Sequence, residues 1–327
     1  MSSDHFTLIP NGAFSLPTSI GFLTGFTPLS YDAAGRPPGA APGPHPPDRA
    51  VEGEREIARL TQLGRARRAC DRDERDRVLR LAFSVERDWR PAAVSVRQTN
   101  SGSLTVTVTA DVDRELVIEQ TARMLSLDVD ASMLEQTVRG DGVASKLVAE
   151  YRGLRPVCFA SPYEAAAWAV LSQRIQMKQA AKIRLRMCDQ LGHKIEVDGH
   201  TRRAFPAPHA LRSMSSIDGL AAVKVERLHA VADAALDGRL DAAALRALGP
   251  AQALGEVQKI AGIGPFSADL IVIRGAGEPD HFSRTERRLH GAMARAYRID
   301  ARDVDALAAI AAGLDPPAAP STRQSRG

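Results

Sequence analysis

Hydrophobic and polar residues alternate in three short runs near the start of the chain, at 78–85, 92–96 and 104–108. A period of two is typical of strands that bury one face, and turn-forming residues at 100–102 separate the last two runs. A shorter run at 6–9 has the composition of an edge strand. The pattern therefore predicts a small antiparallel sheet in the first third of the chain.

The hydrophobic spacing then changes to the period of helices, first at 112–124 and more strongly after Ser161. Ser161 followed by Pro162 is a favourable helix start, because the serine hydroxyl can accept from a free backbone amide. Further helices are predicted at 223–236, 241–248, 251–260, 265–273, 284–297 and 304–312.

These elements predict an α+β fold, with a small N-terminal antiparallel-sheet α/β domain at 1–111 and an all-helical domain at 112–312. We expect a disordered tail at 313–327, which is rich in proline, serine and arginine. Residues 31–75 begin with a stretch dense in proline and glycine and continue with mixed charges. Such a segment is expected to be an excursion on the surface of the sheet domain.

Composition narrows the class of protein without fixing its function. The chain has 327 residues, of which 44% are hydrophobic and 25% charged, as in ordinary globular proteins. A net charge of +4 permits nucleic-acid binding but does not establish it. The three cysteines, Cys70, Cys158 and Cys188, are widely spaced and form no metal-binding pair. We therefore expect reduced core thiols.

One short motif carries chemistry. Residues 260–268 read IAGIGPFSA, in which Gly262 and Gly264 flank an apolar residue and Pro265 opens the next predicted helix. Two glycines allow a tight turn with positive φ and let a ligand approach the backbone. The free amides at the start of that helix, together with its dipole, can bind a phosphate group. The alternative is a turn between helices with no ligand, and the full string favours the phosphate site.

This motif resembles the hairpin of the helix–hairpin–helix DNA glycosylase superfamily, whose members usually read GIGPWTA. The N-terminal sheet is similar to the small domain of the bacterial 3-methyladenine DNA glycosylase II branch. Four more segments match the family: SPYEA at 161–165, LSQRI at 171–175, FPAPHAL at 205–211 and RGAGEPDHF at 274–282.

The resemblance implies a DNA repair enzyme that flips an alkylated purine out of double-stranded DNA and hydrolyses its N-glycosidic bond, the first step of base excision repair. By position, Gln173, Phe266 and Leu270 are expected to contact the base. Arg174 is expected to fill the gap that the base leaves, with an exposed helix arginine as the alternative. Phe266 stands where the strand-cleaving branch has a nucleophilic lysine, which implies a monofunctional enzyme. Its alternative is a core residue at a helix start.

Glu286 falls where the family has its catalytic aspartate, in the stretch FSRTERRL at 282–289. A carboxylate beside the anomeric carbon can stabilise an oxocarbenium-like sugar and deprotonate water. A structural role is equally open, because Ser283 and Glu286 have the spacing of a capping box at a helix start. The two roles do not exclude each other.

DNA backbone contacts are expected at the hairpin and at a group of arginines: Gly262, Gly264, Pro265 and Ser267, and Arg284, Arg287 and Arg288. The alternative for the arginines is a solvated helix face. Arginines beside the hairpin are expected to add affinity that depends on salt but not on sequence. Of the other nearby carboxylates, Asp269 is interpreted as a helix-surface residue and Asp280 as a turn residue.

Two departures from the family pattern leave a second function open. Glu286 replaces aspartate, and the sequence after residue 312 does not match the family's next segment. The alternative is therefore a non-catalytic DNA-binding protein that keeps the fold. A glycosylase for another lesion is a third interpretation.

The remaining expectations concern cofactors, partners and location. No cofactor or metal site is expected, although a monovalent cation at the hairpin stays open. The N-terminus lacks a basic segment followed by an apolar one, so no signal peptide is expected. No apolar run approaches the roughly 18 residues that span a bilayer. We expect a cytoplasmic, nucleoid-associated monomer whose partner is damaged double-stranded DNA.

Overall fold

The structure, a computed structural model, describes residues 4–25 and 78–313. The predicted excursion at 31–75 lies outside the described residues, as do Cys70 and the predicted tail beyond residue 313.

A four-stranded antiparallel sheet opens the fold, with the strand order β1-β4-β3-β2. Its strands are β1 (Asp4–Leu8), β2 (Val78–Ser84), β3 (Pro91–Gln98) and β4 (Leu104–Ala110). The three alternating runs and the predicted edge strand are thus confirmed. Val96 of β3 pairs with Val106 of β4, and both side chains are fully buried.

A second, two-stranded hairpin packs across this sheet, and the hydrophobic pattern does not predict it. It consists of β5 (Lys194–Val197) and β6 (His200–Arg203), joined by Asp198 and Gly199, which both have positive φ. An Asp-Gly pair is a signal for such a turn, but four-residue strands give no readable alternation. The Asp198 carboxylate ties the hairpin to the sheet through Arg80 at 2.5 Å and Arg97 at 2.6 Å.

The remaining elements are helical, and every predicted helix is found within a few residues of its expected place. A π-helical turn (Ile271–Ala276) directly follows the helix at Pro265–Leu270. The helices are α1 (Leu16–Gly25), α2 (Arg114–Met124), α3 (Leu134–Thr137), α4 (Gly142–Glu150), α5 (Pro162–Ser172), α6 (Met177–Leu191), α7 (Pro208–Arg212), α8 (Ala222–Leu236), α9 (Ala242–Leu248), α10 (Pro250–Gln258), α11 (Pro265–Leu270), α12 (Arg287–Tyr297) and α13 (Val304–Ala311).

Helix α5 lies at the centre of the helical part. The Ser161 hydroxyl accepts from the Glu164 amide at 3.1 Å, and Pro162 occupies the first turn, so the predicted helix start is confirmed. Residues 162–171 are all buried. Helices α6, α8 and α11 and the π-helical turn surround it. A helix that is hydrophobic all round requires such a central position.

Two features fix how the neighbours pack on α5. The Glu164 carboxylate forms a buried ion pair with Arg184 of α6, and the Arg184 guanidinium lies 5.5 Å from the centre of the Phe205 ring. A buried charge is costly without its partner, so this pair holds α6 in one orientation. On another side, Gly275 of the π-helical turn lets the two backbones approach closely.

Buried hydrophobic side chains of the sheet and of the helices form one continuous cluster. Cys158 and Cys188 are buried free thiols, as predicted. None of the helices within 4–25 and 78–313 is both long and apolar enough to cross a membrane.

We predict that Gly275→Ala destabilises the fold by about 1–3 kcal/mol, the usual cost of overpacking a core. A Cβ at Gly275 lies only 2.8 Å from the Pro162 Cα, so the π-helical turn must move away from α5. Denaturant unfolding measures the difference. Gly255→Ala is the matched control, because Gly255 is exposed in α10 with nothing within 4 Å of its Cβ position. That change is expected to stabilise by up to about 1 kcal/mol, and equal effects of both changes contradict the packing argument.

Candidate nucleic-acid interface

The predicted hairpin joins α10 to α11 through residues 259–264. Ile263 is buried and anchors the loop to the core. Gly262 has φ +88°, whereas Gly264 has φ −94° and ψ 179°. The expectation of positive φ is therefore correct for Gly262 and wrong for Gly264. Extended backbone at Gly264 suffices, because this residue is the N-cap from which α11 starts.

Gly264 and Pro265 lie on the exposed rim of the hairpin. A Cβ added at Gly264 finds nothing within 4 Å, so the fold itself does not require glycine there. The N-cap residue of α11 is Gly264, which has no side chain to cap the first turn. Exposed helix-start amides without a capping group attract anions.

Phe266 and Leu270 take different positions on α11. The Phe266 side chain is 55% exposed next to the hairpin, so its interpretation as a core residue is wrong. Leu270 is half-buried and packs against the core one turn later. An aromatic face therefore stands open at the start of α11, with an apolar side chain behind it. Ser267, also in the first turn, is half-buried.

The turn after α5 brings Gln173 and Arg174 next to the hairpin. Arg174 is exposed and has φ +56°, an unusual conformation for a residue other than glycine. Both ends of the Gln173 amide are engaged: its Nε2 donates to the Gly262 carbonyl at 2.7 Å, and its Oε1 accepts from Arg227 at 2.7 Å. Gln173 thus links the turn after α5 to the hairpin at one end of its side chain and to helix α8 at the other.

The Asp269 carboxylate is the centre of a second set of hydrogen bonds. It accepts from the Ser283 hydroxyl at 2.6 Å, from His281 Nε2 at 2.9 Å and from the Thr285 hydroxyl. Asp269 is only 6% exposed, so its interpretation as a helix-surface residue is wrong. Helical spacing could not reveal this, because the three partners come from a loop that returns to α11 after more than ten residues.

These contacts determine the charge of Asp269. Burial by itself raises the pKa of this carboxyl, but the hydrogen bonds from Ser283, Thr285 and His281 outweigh burial and hold the pKa below its ordinary value. Asp269 is therefore an ionised anchor that fastens the loop at 281–285 to α11.

Glu286 follows this loop directly and is the N-cap of α12. Its carboxylate accepts from the Arg288 amide at 3.0 Å, and the helix begins at Arg287, three residues later than predicted. The predicted capping box is only half formed. Ser283 accepts from the Glu286 amide as expected, but Glu286 occupies the cap position instead of the third helical position. The Ser283 hydroxyl donates to Asp269 and accepts from the Glu286 amide at 3.2 Å. It thus orders the turn before the helix.

His290 supports the same segment from within α12. Its Nε2 lies 2.9 Å from the Ser283 carbonyl oxygen, and its ring stacks on Phe282 with a centroid distance of 5.5 Å. The backbone that carries Glu286 is therefore held from α11 and from α12.

The three predicted arginines lie on or just before α12. Arg287 and Arg288 are exposed, and Arg284 forms a surface ion pair with Asp305 of α13. Such pairs are weak, so Arg284 can exchange its partner for another anion. Asp280 is exposed in a turn, as predicted. Among the described residues, no group of three His, Cys, Asp or Glu side chains is placed to hold a metal ion.

Two cations beside the hairpin, Lys224 and Arg227 of α8, were not predicted as site residues. Lys224 Nζ donates to the carbonyls of Leu171 and Gln173, each at 2.7 Å. Their spacing of three residues on one helix face was the available signal. The sequence alone does not show which loops that face meets.

Comparison with known proteins identifies the fold. No protein-family model matches the chain. A DNA-3-methyladenine glycosylase of Bacillus subtilis (strain 168) is 25% identical over 166 residues, 49% of this chain and 54% of that protein. The chain thus spans about half the length of the curated relative that it matches.

Two solved structures extend the likeness beyond the matched sequence. The 3-methyladenine DNA-glycosylase from Archaeoglobus fulgidus has a TM-score of 0.59 and 21% identity, covering 71% of this chain and 81% of that chain. The apo-form of Clostridium acetobutylicum 8-oxoguanine glycosylase/lyase has a TM-score of 0.52 and 18% identity, covering 69% and 80%. The predicted α+β fold class is confirmed.

We predict that Asp269→Asn lowers the stability at neutral pH by about 1–3 kcal/mol, the usual value of hydrogen bonds to a charged group. Because the folded pKa of Asp269 is lowered, its contribution is complete above the unfolded pKa of about 4 and is lost as the pH falls through the folded pKa. The difference between wild type and variant should therefore shrink below about pH 4. Thermal unfolding between pH 7 and pH 3 measures it. Asp280→Asn, at an exposed turn, is the control and should change stability by no more than about 0.5 kcal/mol.

Proposed function

We propose that this chain, which has the fold of the helix–hairpin–helix DNA glycosylases, is itself a DNA glycosylase that removes alkylated purines of the 3-methyladenine type from double-stranded DNA. The superfamily resemblance of its sequence is confirmed by these comparisons. The substrate class comes from the names of the Bacillus and Archaeoglobus relatives and is part of the proposal.

One observation carries the proposal: a single helix connects the hairpin to the carboxylate. Helix α11 starts at the exposed Gly264, presents Phe266 on its first turn and fixes the loop before Glu286 through Asp269. From Gly264 to Asp269 the axial rise is about 7.5 Å. The hairpin and the loop before Glu286 are therefore fastened to the same short helix, and in this proposal they meet neighbouring parts of one DNA strand.

The chemistry follows from the kinds of groups at this surface. The scissile bond of a stacked base is out of reach, so the nucleotide must leave the duplex before reaction. Water then attacks C1′ of the sugar, and the C1′–N bond breaks with its electron pair going to the purine. Glu286 stabilises the developing oxocarbenium charge and accepts the proton of the attacking water. An alkylated cationic purine leaves as a neutral base, which needs no further acid.

In this proposal the base binds against the exposed side of α11. The exposed Phe266 ring offers a face to a positively charged purine, with Leu270 packed behind it. Gln173 borders the same space, with its amide tied to the hairpin, and Arg174 fills the gap left in the duplex. Because Phe266 occupies the position of the lyase lysine, we propose hydrolysis without strand cleavage.

The DNA backbone lies along the hairpin and α12 in this proposal. Gly262, Gly264, Pro265 and Ser267 form the phosphate site, with Arg284, Arg287 and Arg288 alongside. No cofactor is proposed, and the protein acts as a monomer in the cytoplasm, at the nucleoid.

One observation favours a second function, a non-catalytic DNA-binding protein. The Glu286 carboxylate already serves as the cap of α12, and it stands where the family has the shorter aspartate. A glutamate retained for capping alone leaves DNA binding without base release. The two functions differ in one product, the free base.

We predict that Gly264→Val weakens duplex binding at least about tenfold, the loss expected when one charge-assisted phosphate hydrogen bond is removed. Its Cβ position is open and its backbone is extended, so folding should be unaffected. Binding is measured as a salt titration by fluorescence anisotropy, with thermal unfolding of the same samples. Gly255→Val is the matched control, because it adds the same side chain at an exposed position of α10 and should leave binding unchanged. A folded Gly264→Val protein with wild-type affinity places the phosphate elsewhere.

We predict that Glu286→Gln lowers base release at least about a hundredfold, the lower range for loss of a general acid–base group, while duplex binding stays close to wild type. Chromatography of bases released from methylated DNA measures the rate, and a denaturing gel shows whether the strands remain intact. The loss of stability should not exceed about 1 kcal/mol, the typical value of a helix cap.

Glu286→Asp is the informative companion, since it shortens the carboxylate but keeps the charge and the cap. Unchanged base release in Glu286→Gln removes Glu286 from the mechanism. If wild type and Glu286→Asp both bind duplex and release no base, the non-catalytic function replaces the enzymatic one. A cut strand in the wild-type reaction contradicts the monofunctional assignment.

A further inference from the structure

We propose that Lys224 and Arg227 are positioning residues that lock the Arg174 turn to the hairpin, so that both segments meet DNA as one rigid body. This inference rests on the proposed function, because it concerns how the gap-filling residue is aimed. Neither cation touches the reacting atoms in this proposal. Both act through Gln173 and the backbone of the turn.

Lys224 binds the backbone of the turn that carries Arg174. Its ammonium group donates to the carbonyls of Leu171 and Gln173 at 2.7 Å each. Both lie at the C-terminal end of α5, where the last carbonyls of a helix have no amide partner within the helix. A cation at a helix C-terminus is favourable for that reason. Burial and the nearby Arg227 lower the pKa of Lys224. The amine is therefore held there at an electrostatic cost, which the two hydrogen bonds must offset.

Gln173 connects this turn to the hairpin. Its Nε2 donates to the Gly262 carbonyl and its Oε1 accepts from Arg227, both at 2.7 Å. The amide can satisfy both contacts only in one orientation, since one end donates and the other accepts. The residue immediately before Arg174 is thus joined to the loop that is proposed to hold the phosphate.

Arg227 closes the arrangement against Gly262. A Cβ on Gly262 lies 2.5 Å from the Arg227 Cδ, so the arginine stem fills the space that the missing side chain leaves. Glycine is therefore required at position 262 for two reasons: its φ of +88° favours glycine, and the Arg227 side chain occupies the place of a Cβ. In the described part of the chain neither Lys224 nor Arg227 forms an ion pair with a carboxylate.

The consequence concerns Arg174. This exposed residue stands at φ +56°, and no hydrogen bond or ion pair within residues 4–25 and 78–313 holds its side chain. The turn can present Arg174 to a gap in the duplex only if its backbone is held relative to the phosphate site. Misplacement of a functional group by about 1 Å can cost a hundredfold in rate. The backbone of this turn is fixed relative to the hairpin by Lys224, Gln173 and Arg227.

The test compares two 20–30-base-pair duplexes, one intact and one with a tetrahydrofuran abasic analogue opposite thymine. Extruding a base costs least where no base is present, so a gap-filling protein prefers the abasic duplex. Wild type is expected to show this preference. Lys224→Met should bring the two affinities close to parity, whereas Lys224→Arg, which can still donate to both carbonyls, should keep the preference.

Lys178→Met is the matched control. Lys178 is an exposed lysine of α6 close in sequence to the Arg174 turn, and no described contact engages it. Its loss can weaken binding to both duplexes equally but should leave their ratio unchanged. Gln173→Leu is the second variant, because it keeps the Lys224 contacts with the backbone and removes the side-chain links to the hairpin and to Arg227. It too should abolish the preference, and thermal unfolding shows that each variant is folded.

The outcomes distinguish a failure of the locking role from a failure of the proposed function. If wild type prefers the abasic duplex and both folded Lys224→Met and Gln173→Leu keep that preference, the locking role is wrong while the proposed function stands. If wild type binds both duplexes equally, the gap-filling role of Arg174 and the locking role fall together, whereas base release still decides the proposed function. Loss of preference in Lys178→Met as well shows a simple charge effect and also overturns the locking role.

Discussion

The full burial of helix α5 is the constraint on which most of this structure depends. Residues 162–171 leave no face for solvent, so other helices must enclose the helix on all sides. Its alanines and the facing Gly275 permit close backbone approach, and the pair of Glu164 and Arg184 fixes the orientation of α6. Because α5 cannot shift in this enclosure, whatever follows its last turn is presented at a defined place on the surface.

The candidate nucleic-acid interface lies where α5 ends and where α11 begins. The turn at the end of α5 carries Arg174, and the hairpin before α11 carries Gly264. Gln173 connects the two, and Lys224 binds the backbone of the turn. On the other side of α11, Asp269 fastens the loop that precedes Glu286. The proposed phosphate site, the proposed gap-filling residue Arg174 and the Glu286 carboxylate are therefore all positioned by the packed pair of α5 and α11. Hydrogen bonds to buried or half-buried charged groups provide the linkage, and such bonds are stronger than those between neutral groups.

The residues that the sequence pattern misjudged share one cause. Asp269 looked like a surface residue because its neighbours along the helix do not reveal a loop that returns from 281–285. Glu286 looked like the third residue of a helix because Ser283 and Glu286 have the right spacing, yet the Ser283 hydroxyl is bonded to Asp269 and the helix begins later. Each decision depended on a partner distant in sequence, which spacing cannot identify.

The sequence by itself determined the α+β class, the sheet strands with readable alternation, the start of α5 at Ser161 and the hairpin between two helices. These features rest on local chemistry: periodicity, helix caps and the conformational freedom of glycine. Only the tertiary structure decided that Asp269 is a buried anchor, that Gln173 joins two loops and that Lys224 caps α5. Those roles arise from hydrogen bonds between segments that chain folding brings together, and burial sets their strength because water no longer competes for the same groups.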